Sequence, residues 1–128
     1  MADSEYKLIP LEKTQSIPVN WKFSQEQYDK LVKGHRSNWC VFLRDDVVHV
    51  CRVGGEEFYR FKINKIGSNT YVVISLETYV LDDFRSAQIK HGFSETQIEH
   101  SEDAFFSLAQ DEVEGLLVSY FEINVNRT

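Results

Sequence analysis

Two cysteines and a histidine fall within twelve positions of one another: Cys40, His49 and Cys51. Three such ligands can hold zinc if an acid or a water completes the tetrahedron. Alternatively, a cysteine beside a histidine can act as a thiolate nucleophile. No Cys-x-x-Cys spacing accompanies them, and no orienting third group or oxyanion loop can be read. A strand register that sets Cys40 opposite Cys51 would offer a disulfide. They fall at a hydrogen-bonded pair, however, where side chains lie further apart, and no export signal precedes them. Two free, partly buried thiols are therefore expected, with no metal and no cofactor. Asp45-Asp46 and Asp82-Asp83 are adjacent carboxylates. Neighbours on a strand point apart, whereas glycosidase-type chemistry needs two separated, converging groups. Gly54-Gly55 has neither a following Lys-Ser/Thr nor a helix start, so it reads as a hairpin pair rather than a phosphate loop. With no catalytic constellation in view, a non-enzymatic role is expected.

Two sets of binding residues remain. Phe42, Phe58, Tyr71 and Tyr79 are interleaved with Arg44, Arg60 and Lys62. In composition this is like a stacking surface for single-stranded nucleic acid. The RNA-binding signature is absent, however, and the charge is unfavourable. The net charge is −6, and residues 65–128 hold four Lys and Arg against eleven Asp and Glu, whereas residues 1–64 hold ten against nine. Nucleic-acid binding needs a basic footprint, so no nucleic-acid partner is expected. An acidic half instead suits a basic protein, since complementary charge speeds association and excludes wrong partners. Glu95, Glu99, Glu102, Asp103, Asp111, Glu112 and Glu114 would carry that contact. The leading functional expectation is thus a protein-binding module, in its concrete form a bacterial immunity or antitoxin-like protein. The alternative is a small-ligand protein or small enzyme that uses the mixed aromatic and basic sheet face, through His49, Arg60, Lys62 and Tyr71. A third use of that face is as a homodimer interface, so monomer and homodimer both remain open.

The elements that must position these residues centre on Trp39 to Val80. Turn residues divide that stretch into four strand-like runs, Trp39–Arg44, Val47–Val53, Glu56–Lys65 and Thr70–Val80. Asp45-Asp46 makes a two-residue hairpin only if both residues take positive φ; Gly54-Gly55 does so freely. The turns fix a register. Val41 faces Val50, Cys40 faces Cys51, and Val48 faces Phe61. A four-residue loop at Ile66 to Asn69 sets Phe61 opposite Ile74 and Tyr59 opposite Leu76. One face then carries Trp39, Val41, Leu43, Val48, Val50, Tyr59, Phe61, Ile63, Val72, Ile74 and Leu76, a core face. The mixed face carries Cys40, Phe42, Arg44, His49, Cys51, Phe58, Arg60, Lys62, Tyr71, Val73, Ser75, Glu77 and Tyr79. It is too aromatic to be fully wet, so either more chain or a partner covers it.

Upstream, Ser24-Gln25-Glu26-Gln27 is a capping box that opens a helix from Gln25 to about Lys33, with Gly34 as its stop. Residues 1–16 form an arm or an edge strand, since Pro10 interrupts any ladder there. Downstream, apolar residues at three- and four-residue steps predict a longer helix from Ser101 to about Phe121, followed by a strand or tail. Short helical pieces are expected within 81–100. The size of 128 residues predicts one α+β domain over 1–128. Its architecture is a four-stranded antiparallel meander, with a fifth edge strand allowed, and the short N-terminal and longer C-terminal helices packed on one face. No apolar run approaches membrane-spanning length, and the polar, acidic N-terminus lacks the regions of a signal peptide, so a cytoplasmic location is expected and no membrane partner.

The opening Ile17-Pro18-Val19-Asn20-Trp21-Lys22-Phe23-Ser24, the short helix, and the strand from Trp39 to Phe42 resemble a group of small uncharacterised bacterial proteins. Those combine a Pro-Val-x-Trp-x-Phe-Ser opening with an Arg-Trp strand and a strand ending near Arg-x-x-Thr-Gly. This chain has Asn38-Trp39 and Arg52-Val53-Gly54-Gly55 at those places. The resemblance spans the first half. It implies a related fold and places no catalytic residue on this sequence.

Overall fold

The computed structural model describes residues 8–79, 86, 92 and 102–127, without the side chains of 79, 102, 103, 126 and 127. Its elements are β1 (Thr14–Ser24), α1 (Gln25–Lys33), β2 (His35–Arg36), β3 (Trp39–Arg44), β4 (Val47–Arg52), β5 (Glu57–Lys62), β6 (Asn64–Lys65), β7 (Thr70–Tyr79), α2 (Glu102–Phe121) and β8 (Asn126–Arg127). The fold is α+β, with two helices and one antiparallel sheet named among the described residues. That sheet has eight strands rather than four or five, in the order β2-β3-β4-β5-β7-β1-β8, with β6 also paired to β7.

The β3-β4-β5 meander follows its turns. Asp45 and Asp46 adopt φ of 52° and 63°, the left-handed geometry that a two-residue hairpin demands. Cys40 lies opposite Cys51 and Val41 opposite Val50; Val48 lies opposite Phe61 and Val50 opposite Tyr59. Ser24 caps α1, its hydroxyl accepting from the Gln27 amide while the Gln27 side chain accepts from the Ser24 amide.

The expected pairing of the last meander strand is wrong. Phe61 faces Leu76 and Tyr59 faces Thr78, two positions further along β7 than the turn count predicted. The Ile66 amide donates to the Thr70 carbonyl, so the loop holds three residues, not four. Asn64 faces Val72, one step out of phase with Phe61 and Leu76. β7 also changes register against β1 between Pro18 and Trp21, opposite Val73 to Ser75. An irregularity of this kind adds a residue and turns the following side chains to the other face. Tyr71 and Val73 are accordingly buried with Leu76, whereas Ile74 is 66% exposed. The expectations that Val72 and Ile74 line the core, and that Tyr71 and Val73 lie on the mixed face, are both overturned by this bulge.

β1 was the larger omission. Ile17, Val19, Trp21 and Phe23 are all buried, alternating with exposed Pro18, Asn20 and Lys22. The period of two is that of a strand. Pro18 sits at the irregularity, where a missing amide hydrogen is tolerated. The buried cluster joins these β1 residues to Val48, Val50, Phe61 and Leu76, to Leu31 of α1, and to Ala109, Val113, Leu117 and Phe121 of α2. Residues 81–85 and 87–91, and the capping stretch expected at 94–97, lie outside the described residues. No helix among those described is long and apolar enough to cross a membrane.

Candidate binding face of the sheet

The mixed face is built in rows across β4, β5 and β7. In the middle row His49 faces Arg60 and Arg60 faces Glu77. A second bulge, between Val50 and Cys51, sets Glu57 opposite Cys51 and brings its carboxylate into this row. The Glu57 side chain has no exposed surface. It accepts from His49 Nδ1 at 2.5 Å, from Arg60 at 2.9 Å and from the Leu11 amide at 3.1 Å. Arg60 Nε also donates to Glu77 at 2.6 Å. Burial alone would raise the Glu57 carboxyl. The His49 hydrogen bond, the Leu11 amide and the Arg60 charge outweigh it and hold the group below its ordinary value. With Glu57 ionised it can only accept, so His49 Nδ1 carries the proton. Arg60 is held more firmly charged than usual, chiefly by its hydrogen bond to Glu77.

A carboxylate that fixes a histidine ring recurs at metal sites and in catalytic triads. Here the other members do not follow. Among the described residues no group of three or more His, Cys, Asp and Glu side chains could hold a metal ion. Cys40 and Cys51 are free and buried. The Cys51 thiol is pushed up to about 12, first by burial and then by Glu57, which removes it as a thiolate nucleophile near neutral pH.

The two ends of the mixed face differ. At one end Leu8 packs on Cys40, Phe42 and Cys51, so chain covers it. At the other lies a half-open cleft of about 390 Å³ lined by Val47, Arg60, Lys62, Ile74, Ser75 and Glu77. Its lining combines apolar Val47 and Ile74 with charged Arg60, Lys62 and Glu77. The register break in β7 lifts Ile74 into it.

Of the four residues expected on a ligand face, Arg60 and Lys62 line this cleft and His49 adjoins it through Arg60. Tyr71 does not belong. Its ring stacks on Tyr28 of α1 at 4.1 Å and its hydroxyl donates to Gln25, on the core side. The cause is again the bulge.

The acidic set divides as well. Glu95 and Glu99 lie outside the described residues, and Glu102 and Asp103 are described in backbone alone. Asp111 and Glu112 are exposed and Glu114 half-buried. Glu112 accepts from the Tyr59 hydroxyl, and Glu114 accepts from the Trp21 indole at 2.8 Å and from Gln110. These two carboxylates tie α2 to the sheet. Sequence reasoning missed Glu57 and Ile74, whose positions depend on bulges; the only signal was a carboxylate set between Gly54-Gly55 and an aromatic strand. No protein-family model, curated protein or solved structure matches the chain.

Proposed function

We propose that the chain is a non-enzymatic protein-binding module that docks its partner at the open end of the mixed face. An apolar side chain of the partner sits against Ile74, with an anionic group beside Lys62. The observation that carries this reading is Ile74 itself. It is a large apolar residue, 66% exposed, within a ten-residue strand, and it lines a cleft together with charged Arg60, Lys62 and Glu77. Single exposed apolar residues are ordinary on a protein surface. One lifted by a bulge in an interior strand is the arrangement that sites use to aim a side chain. Lys62 is exposed, and no acceptor among the described residues pairs with it.

The uneven charge supports a second reading, in which residues 65–128 meet a basic partner as an immunity or antitoxin-like protein does. One comparison separates the two. The natural chain, Ile74→Asp and Asp111→Lys are each used to capture protein from a lysate of the source cells, with quantitative mass spectrometry. A protein held by the natural chain and by Asp111→Lys but lost with Ile74→Asp supports the cleft. The reverse pattern supports the acidic surface. If no protein is retained in any arm, the cleft is left to a small ligand, for which its volume lies in the usual range of about 300–1,000 Å³.

A further inference from the structure

The covered end of the mixed face carries a separate inference, independent of what the cleft binds. Residues 8–11 cross it in extended form. The Ile9 amide donates to the Gly55 carbonyl at 2.8 Å, and the Glu57 amide donates to the Ile9 carbonyl at 3.0 Å. This is one parallel bridge, Ile9 with Glu56, outside the named strands. Two residues later the Leu11 amide donates to Glu57 Oε1. One residue earlier the Leu8 side chain meets Cys40, Phe42 and Cys51. Ile9 is 45% exposed and Pro10 is exposed.

We infer that the ground beneath residues 8–11 is a strand-addition site for an extended peptide supplied from another molecule, with the chain's own arm as its resident occupant. What the site reads is simple. It takes an apolar side chain at the first position, a backbone carbonyl and amide at the second, and a backbone amide at the fourth. The second and third side chains point away and are not selected. Main-chain hydrogen bonds that supply affinity, with a pocket that supplies specificity, define recognition by strand addition.

Three features make this a site rather than an ordinary chain end. Every receptor group belongs to β3, β4, β5 or the turn between β4 and β5, and the pairings of those strands do not involve the arm. The receptor therefore persists when the arm leaves. The Glu57 carboxylate is held in place by His49 and Arg60, so its free lone pairs already face the incoming amide. Among the described residues, 8–11 are held by one bridge, the Leu11 amide on Glu57 and one anchoring side chain, a small set of contacts of the kind that opens locally.

A competing peptide must displace an arm tethered at an effective concentration on the order of millimolar, so weakening the arm should expose the site. The test uses the full chain and a fluorescein-labelled peptide copying residues 8–13, Leu-Ile-Pro-Leu-Glu-Lys, read by fluorescence anisotropy. Leu8→Asp removes the arm's anchor, and Leu11→Pro removes the amide given to Glu57. Both variants are expected to bind the peptide at least about tenfold more tightly than the natural chain, through relief of that competition. The same peptide with Asp at its first position should not bind. In a ¹⁵N–¹H spectrum of Leu11→Pro, the peptide should shift the Glu57 amide. If Leu8→Asp fails to unfold cooperatively, Leu11→Pro decides, because it leaves the apolar anchor in place. Equal affinity for variants and natural chain, absence of binding to Leu11→Pro, or shifts at Ile74 and Ser75 instead of Glu57 would overturn the inference. A dimer of the natural chain that Leu8→Asp converts to monomer would support it, as exchange of arms between two copies.

Discussion

Glu57 concentrates the chemistry of the mixed face in one carboxylate. Its side chain is fully buried and touches His49, Arg60 and the Leu11 amide. Its folded-state value lies below the ordinary one. A depressed carboxyl contributes stability that is present above the unfolded value, about 4.3, and is lost as pH falls through the folded value. Glu57→Gln keeps the shape but leaves His49 and Arg60 without the charge they surround. Removing one partner of a buried pair costs on the order of 3–5 kcal/mol. Urea unfolding at pH 7 and at a second pH below the folded value is expected to show that loss at the first and a smaller one at the second, where the natural chain has also lost the charge. An equal loss at both pH values would mean that packing, not charge, sets the value of this group. The sequence disclosed part of this cluster. The two turns fixed Cys40 against Cys51, and their registers set His49 against Arg60. Glu57 stayed hidden because a bulge between Val50 and Cys51 moves it onto this face, and nothing local signals that bulge.

At the scale of elements, the bulge in β7 decides which residues are core. Val73 is fully buried and Ile74 is 66% exposed, the reverse of what uninterrupted alternation from Phe61 predicts. Val73→Asp would bury an unpaired carboxylate and should abolish cooperative unfolding. Ile74→Asp should change stability by no more than about 0.5 kcal/mol, as at other exposed positions. Thermal melts of both variants check this, and comparable losses would restore the regular register. The attachment of α2 gives a second expectation. Trp21 is fully buried, and its indole N–H is met by Glu114. Glu114→Ala leaves that donor unmet and should cost about 1–3 kcal/mol, measured by urea unfolding. A negligible change would return Glu114 to the surface charges available to a basic partner. Elements whose boundaries are set by near neighbours were readable: α1 from its capping box and Gly34, and the β3–β4 hairpin from its two aspartates. β7 was not, because its phase is set by what packs on both sides of it.

The molecule as a whole is closed by a pairing that no turn announces. β1 lies between β7 and β8, and Thr14 faces Tyr79 across 65 positions of sequence. The alternation from Ile17 to Phe23 shows in the sequence once its proline is seen to sit at an irregularity, but its neighbour in the sheet does not. Such long-range closure places the paired strands β1 and β7 at the point where the most structure must open to expose them. Opening free energies in a folded domain run from near zero at chain ends to the global value in the core. The backbone amides of Phe23, Val73 and Leu76 are therefore expected to exchange hydrogen most slowly, at the rate set by global unfolding. The Ile9 and Leu11 amides lie on the same sheet but are tied down by one bridge and one carboxylate. They should exchange by local opening, insensitive to low urea concentrations that already speed the core amides. Native-state exchange read by ¹⁵N–¹H spectra separates the two classes. If Ile9 and Leu11 instead track the core at every urea concentration, the arm unfolds only with the whole sheet, and the ground beneath it is never open to another strand in the native molecule.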